Sequence, residues 1–413
     1  MRLQITHTTS DVVYAGIAVP CGTRDELDSE SGMAHLVEHM SFKGTPHLSS
    51  VQILNRMERV GGDLNAFTGK EETIYYCVFL RKHLRRAIPF LMDIVFNSTF
   101  PQSELEKEVE VVCDEIESYN DSPAELIYED FESLIFPDHP LGRKILGEAK
   151  RLRQYTSEDL LHFTRRTYNP ERAVLFVRGN VTEKEVRKTL PQTSLLGREL
   201  NDSQNSPQLS RVIAPAFQFP SPIGEGLEVR LKPIHQSHVM LGARAYAATD
   251  PRYYGLSLLN NLLGGPAMNS RLSLALRERA GLVYTVESSL TAYTDTGVWA
   301  VYFGCDPADV QRCLRLVRRE LRCLIDAPLK PRTLAAAKQQ IKGQLGISYD
   351  NSENVAIGMA KRFLHDGWTL SPQEIMERIE AVTAADLQAI AAEVFDTERL
   401  TTLIYQPETY NKH

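Results

Sequence analysis

The sequence predicts an α+β protein of two structurally similar domains, each a mainly antiparallel sheet covered by helices. Three observations carry this expectation. At 413 residues the chain exceeds the size at which a single core stops growing. Strand-like and helix-like apolar patterns alternate in the same order in both halves. Between the halves the text turns to Ser, Asn, Pro, Gln and Gly without periodicity, which places a linker at 193–223 between domains at 1–192 and 224–413.

In the first half VVYAGIAV (12–19) reads as a strand and GMAHLVEHMSFK (32–43) as a helix. VQILNRMERV (51–60) is an amphipathic helix stopped by Gly61-Gly62. DLNAFT (63–68) and TIYYCVFL (73–80) are strands joined by a polar turn at 69–72. Helical patterns follow at 81–97 and 103–119, then a strand at 171–180. The second half repeats the plan, with strands LEVRLKP (227–233) and HVMLGARAYA (238–247) and a helix at 253–263. Strands at 282–290 and 297–304 come next, and four helical stretches run from about 306 to 394. When GMAHLVEHM (32–40) is laid over GLSLLNNLL (255–263), His35, Glu38 and His39 fall opposite Leu258, Asn261 and Leu262. Positions that are plain core in one copy carry ligand-type side chains in the other.

Composition narrows the classes of function. Hydrophobic content of 43% and charged content of 24% are those of a soluble globular protein. A net charge of −7 argues against a nucleic-acid partner, which calls for a basic face. No window approaches 18 apolar residues, so no membrane span is expected. MRLQITHTTSD has no basic segment leading into an apolar one, so no signal peptide is expected. The six cysteines are scattered without a C-x-x-C pair, which fits a reduced, cytoplasmic setting, although a trimmed exported chain would read the same.

The chemistry concentrates in HLVEH (35–39). On a helix, residues four apart share a face, so His35 and His39 can present two imidazoles to one ion. Zinc suits two helical histidines, and Glu38 sits where it can reach a water without binding the ion. H-x-x-E-H is the inverzincin order. Histidines on a half-buried helix more often bond backbone or carboxylate groups, so a third ligand is needed. On the helix 103–119, Val111, Val112 and Ile116 are read as the apolar face. Glu108 and Glu115 are seven apart and flank that stripe, placed either to meet a metal or to form a solvated acidic edge.

These residues resemble the pitrilysin/insulysin family of zinc peptidases, with the short bacterial members similar to mitochondrial processing peptidase the nearest in pattern. HLVEH is followed by MSFKGT (40–45), Glu115 lies 76 residues beyond His39, and Glu108 lies seven residues earlier. GGDLNAFTGKEETIYY (61–76) is similar to the family's segment bearing a substrate-pairing edge strand, and Gly264-Gly265 to a glycine loop of its second domain. LRERAGLVY (276–284) is similar to its arginine–tyrosine element, with Arg277 and Tyr284 seven apart.

The resemblance implies one Zn2+ per chain, held by His35, His39 and Glu115. It implies Glu38 as general base, Glu108 in support, and Arg277 and Tyr284 on the carbonyl under attack. Asn65, Ala66, Phe67 and Thr68 would pair with an extended peptide or unfolded polypeptide. The function implied is a metalloendopeptidase working in a closed chamber of four such domains, hence a dimer. Self-association is the simpler form, with a heterodimer as the other. The rival readings are a processing peptidase for one partner protein and a non-catalytic assembly or peptide-binding subunit.

Overall fold

Two five-stranded sheets of the same topology organise the chain. The computed structural model describes residues 1–190, 226–397 and 399–409. The linker expected at 193–223 lies outside the described residues. The first sheet contains β1 (Arg2–His7), β2 (Val12–Val19), β3 (Asp63–Thr68), β4 (Thr73–Leu80) and β5 (Val174–Gly179), in the order β1-β5-β2-β4-β3. The second contains β6 (Leu227–Lys232), β7 (Ser237–Ala245), β8 (Val283–Ala292), β9 (Gly297–Cys305) and β10 (Thr401–Pro407), in the order β6-β10-β7-β9-β8. Each sheet is antiparallel except for one parallel pair at its edge, β1 with β5 and β6 with β10. The expected α+β class with two mainly antiparallel sheets is what the chain adopts. β3 and β4 fall on the predicted residues, with Asp63 opposite Val78 and Thr68 opposite Thr73.

The helices of the first half are α1 (Met33–Met40), α2 (Ser50–Glu58), α3 (Leu84–Phe96), α4 (Gln102–Asn120), α5 (Pro123–Ile135), α6 (Ala149–Leu152), α7 (Ser157–Thr167) and α8 (Glu183–Arg187). Those of the second are α9 (Tyr253–Gly264), α10 (Val310–Asp326), α11 (Pro331–Ser348), α12 (Ser352–Asp366), α13 (Pro372–Ala381) and α14 (Ala384–Val394). The helical pattern at 81–97 opens as a 3-10 turn, Arg81–His83, before α3 begins. Between 306 and 394 there are five α-helices where four were expected. Two local signals make the divisions. The Asn351 side chain accepts from the Asn354 amide and starts α12, and Gly367 at φ +76 ends it. No helix among the described residues is long and apolar enough to cross a membrane.

The compact units do not follow the chain in two simple halves. The first comprises Met1–Ser118, a stretch beginning at Asp138, and Ser348–Thr369. The second comprises Tyr119–Pro137, a stretch ending at Ile347, and the chain from Leu370. β1–β5 and α12 lie in the first unit, and β6–β10 and α5 in the second. In the first unit one face of the sheet packs on α1, α3 and α4, with Val13, Ala15, Ile17, Tyr75 and Cys77 fully buried. The other face presents Ala18, Ile74, Val174 and Phe176 to Ala356, Ala360 and Leu364 of α12. In the second unit α5 lies on the sheet, where Asp130 takes the Tyr405 hydroxyl at 2.6 Å and an ion pair from Arg230.

Polar contacts fasten α12 to the first sheet. Glu72 meets Lys361 Nζ at 2.7 Å and His365 Nε2 at 2.9 Å. Burial alone would raise its pKa, but the bonds from His365 and Lys361 win and hold the carboxyl down at about 2. A depressed folded pKa stabilises the fold above the ordinary carboxylate value and loses that contribution as pH falls toward 2. The shift corresponds to about 3 kcal/mol at neutral pH. Denaturant titrations across this pH range should therefore show a steeper acid loss in wild type than in Glu72→Gln. Identical acid slopes would remove Glu72 as the fastener of α12.

Candidate metal centre and active site

The helix that carries HLVEH is fixed at its start by a carboxylate from outside it. Gly32 holds the N-cap position at φ +78, where a Cβ would stand 2.7 Å from the Leu146 carbonyl oxygen. Glycine has no side chain to cap with. Glu26 does so instead, accepting from the Gly32 amide at 3.2 Å and the Ala34 amide at 2.9 Å. Burial pushes the Glu26 carboxyl up to about 8 against the pull of those amides. Leu36, Val37 and Met40 are fully buried and hold α1 on the core, each contributing about 1.5–3 kcal/mol.

Once that face is buried, His35 and His39 stand side by side with ring centroids 4.6 Å apart. α4 crosses them. Leu105, Val109, Val112 and Cys113 form its buried stripe. Val111, expected on the apolar face, is 49% exposed, because the stripe runs one position round the helix from the one read in sequence. Glu108 and Glu115 come to the imidazoles along one edge of α4. Glu115 Oε2 lies 3.6 Å from His39 Nε2 and 3.9 Å from His35 Nε2. Glu108 Oε1 lies 3.0 Å from His39 Nδ1. Lys43 Nζ stands 2.5 Å from Glu108 Oε2.

Electrostatics divides the two histidines. Burial holds the His35 pKa down to about 3, with His39 adding to the effect, so this ring is neutral. Its Nδ1 has no hydrogen-bond partner among the described residues, and Nε2 is the nitrogen turned toward Glu115. Burial also opposes charge on His39, but the Glu108 hydrogen bond and the carboxylates around it lift that pKa. For Glu108 burial works upward, and the bonds from His39 and Lys43 prevail and hold it low.

His35, His39 and Glu115 each offer a ligand atom within 4.8 Å of the others. A tetrahedral zinc site with bonds near 2.0–2.1 Å sets donors about 3.3 Å apart. The observed 3.6 and 3.9 Å lie close to that spacing. Two imidazoles and one carboxylate are also the donor set of catalytic zinc. These residues fit the ion.

Glu38 lies beside this cluster without joining it. It is 8% exposed, and its Oε2 accepts from the Thr68 hydroxyl at 2.6 Å. Burial raises its proton affinity despite that bond. A cavity of about 300 Å3 opens here, with Glu38, His39, Lys43 and Glu108 on one wall and Leu64, Asn65 and Ala66 of β3 on another. Among the described residues β3 is the edge strand of its sheet, paired only with β4. The Ala66 amide turns to the Asn65 side chain, accepting oxygen Oδ1, at 2.9 Å. Phe67 packs against the outer sheet face, beneath the Lys361 ammonium, 4.9 Å from the ring centroid.

Arg277 and Tyr284 belong to the second unit and meet each other. The guanidinium lies 5.8 Å from the Tyr284 ring centroid, and Tyr284 is 85% exposed. Three residues beside α1 were not singled out in the sequence for the work they do: Glu26, Lys43 and the Thr68 hydroxyl. Lys43 alone had a local signal, since it stands four positions after His39.

The chain matches two family profiles. Residues 2–149 match "Insulinase (Peptidase family M16)", and residues 154–341 match "Peptidase M16 inactive domain". It is 31% identical over 395 residues to "Uncharacterized zinc protease YmxG" of Bacillus subtilis, covering 95% of this chain and 92% of that one. It is 32% identical over 393 residues to an "Uncharacterized zinc protease" of Rickettsia bellii, with the same coverage. In fold it is similar to a protease from Helicobacter pylori, with TM-score 0.87 and 22% identity over 98% of this chain and 97% of that one. It is likewise similar to a peptidase M16 inactive domain from Pseudomonas fluorescens, with TM-score 0.83 and 18% identity over 100% and 96% of the two chains.

Elemental analysis of wild-type protein should find one zinc per chain. His35→Ala and Glu115→Gln should each lose most of it, and full retention by either variant would remove that residue from the ligand set.

Proposed function

We propose a function from one premise: the chain belongs to the insulinase peptidase family, M16. It is a zinc-dependent metalloendopeptidase that hydrolyses unfolded peptides in a closed chamber. The observation that carries this reading is a cluster of three zinc-type donors with a separate buried carboxylate beside it, where His39 and Glu38 line a cavity shared with the edge strand β3. The profile described as inactive covers residues 154–341, whereas His35, Glu38, His39, Glu108 and Glu115 all lie within 2–149.

His35, His39 and Glu115 would hold zinc, which would supply there a Lewis acid for the scissile carbonyl and an activated water near neutral pH. Glu38 takes the proton from the attacking water and returns it to the leaving amine nitrogen. The Thr68 hydroxyl holds the Glu38 carboxylate in place, and the raised proton affinity of Glu38 suits a base working near neutrality. An extended substrate adds to the sheet beside Asn65–Thr68, with Asn65 Oδ1 giving up the Ala66 amide to a substrate carbonyl. That mode reads backbone, so unfolded chains are favoured over folded ones. Arg277 and Tyr284 stabilise the developing oxyanion from a second copy of the chain, which closes the chamber as a homodimer.

Cleavage profiling of a peptide mixture by mass spectrometry, with and without a chelator, tests the reading. Chelator-sensitive cuts across many sequences support it, and cleavage of one partner protein alone would favour a processing peptidase. Glu38→Gln should retain zinc and lose hydrolysis by at least about a hundredfold. Thr68→Val should lower kcat by about tenfold with zinc content unchanged. Wild-type turnover in Glu38→Gln would end the general-base assignment. Mixing a zinc-ligand variant with Arg277→Ala should restore activity, and a mixture as inactive as its components would place the whole site in one chain.

A further inference from the structure

We propose that Lys43 is a positioning residue that locks the metal-binding face of His39 through Glu108. The inference rests on the zinc peptidase reading and deepens it. Lys43 Nζ and His39 Nδ1 take opposite oxygens of one carboxylate, at 2.5 Å from Oε2 and 3.0 Å from Oε1. No other side chain or backbone group among the described residues bonds that carboxylate. Glu108 is only 7% exposed, so water does little to fix its rotation. The orientation of its plane is therefore set by Lys43 on one side and the imidazole on the other.

That orientation has a consequence for the metal. With Glu108 Oε1 accepting at Nδ1, the His39 proton is kept on Nδ1 and the Nε2 lone pair faces Glu115, 3.6 Å away. Lys43 is itself tied to the end of the same helix, with its backbone amide donating to the Met40 carbonyl at 3.1 Å. His39 and the cation that fixes its carboxylate thus move as one piece. Lys43 also lines the cavity, but its ammonium is engaged by Glu108, which sets the positioning role above a role in gripping substrate.

The test reads zinc affinity by competition with a chromophoric chelator, on the full-length protein, alongside thermal unfolding of the metal-free form. Lys43→Met should weaken zinc binding by about tenfold while metal-free unfolding stays near wild type. Lys43→Arg should restore affinity to within about threefold, since a guanidinium reaches the same oxygen. Lys43→Met added to Glu108→Gln should weaken binding no further than Glu108→Gln alone. The proposal is overturned by an unchanged affinity in Lys43→Met, or by losses that add in the double variant. It is also overturned by a rise in KM as the sole effect, which would make Lys43 a substrate contact. If Lys43→Met unfolds, Lys43→Gln carries the same comparison. A wild type that binds zinc yet cleaves no peptide ends the peptidase reading and leaves the Lys43 result standing. A wild type that takes up no zinc ends both.

Discussion

His39 is held from two directions by one helix. Glu108 meets its Nδ1 at 3.0 Å, and Glu115 approaches its Nε2 at 3.6 Å. Both carboxylates come from α4, seven positions apart, which is two turns and almost no rotation. Both imidazoles come from α1, four positions apart. The site therefore depends on the register of α4 against α1 more than on any single bond. A slip of one residue along α4 would rotate the pair by about 100° and carry both carboxylates off the histidines. Val109, Val112 and Cys113, packed in one core with Leu36 and Met40, forbid that slip. The hydrophobic core is what gives the polar cluster its geometry.

Burial explains why these groups are so unlike their surface counterparts. His35, Glu38 and Glu108 are each less than a tenth exposed, and burying such groups unpaired is costly. Glu108 answers the cost with the Lys43 ammonium on one oxygen and a hydrogen bond from His39 Nδ1 on the other. His35 answers it by staying neutral. Among the described residues Glu38 accepts one hydrogen bond, from the Thr68 hydroxyl, and burial raises its proton affinity against that bond and the nearby His39. The least compensated carboxylate of the cluster is thus the one beside the three candidate donors and not among them. Residual cost concentrated at one group is what a working site leaves behind in an otherwise consistent fold.

The sequence made the local part of this legible. β3 and β4 were readable to the residue because apolar strand patterns end on either side of a polar turn, and hairpin register follows from that turn. His35, Glu38 and His39 were readable because helical spacing is local. Glu115 was open to two readings, since its side chain is 45% exposed and resembles any acidic edge residue until the imidazoles are placed against it. Thr68 reaches Glu38 from β3 and Glu26 reaches the first turn of α1 from the segment before it, and apolar periodicity carries no trace of either contact. The exchange of α5 and α12 was hidden for a similar reason. An amphipathic pattern says that a helix buries a face, not which sheet receives it, and the small Ala356 and Ala360 that seat α12 read equally well against either.

The two sheets share an order, and in each a helix follows the second strand, yet of these two helices only α1 carries the histidines. In α9, Leu258 is fully buried and Leu262 packs against the core, so burial holds that helix at these two positions. In α1 the aligned positions are imidazoles, which contribute less to packing and must be satisfied by polar neighbours. The helix then needs supports that a leucine helix does not. Glu26 holds its first turn, and Lys43 and Glu108 hold the ring of His39. Replacing leucines by imidazoles on a packing helix is therefore not a matter of two substitutions. Here the surrounding chain supplies a buried cap, a carboxylate in register and a cation to steady it, and those come from three separate stretches of sequence.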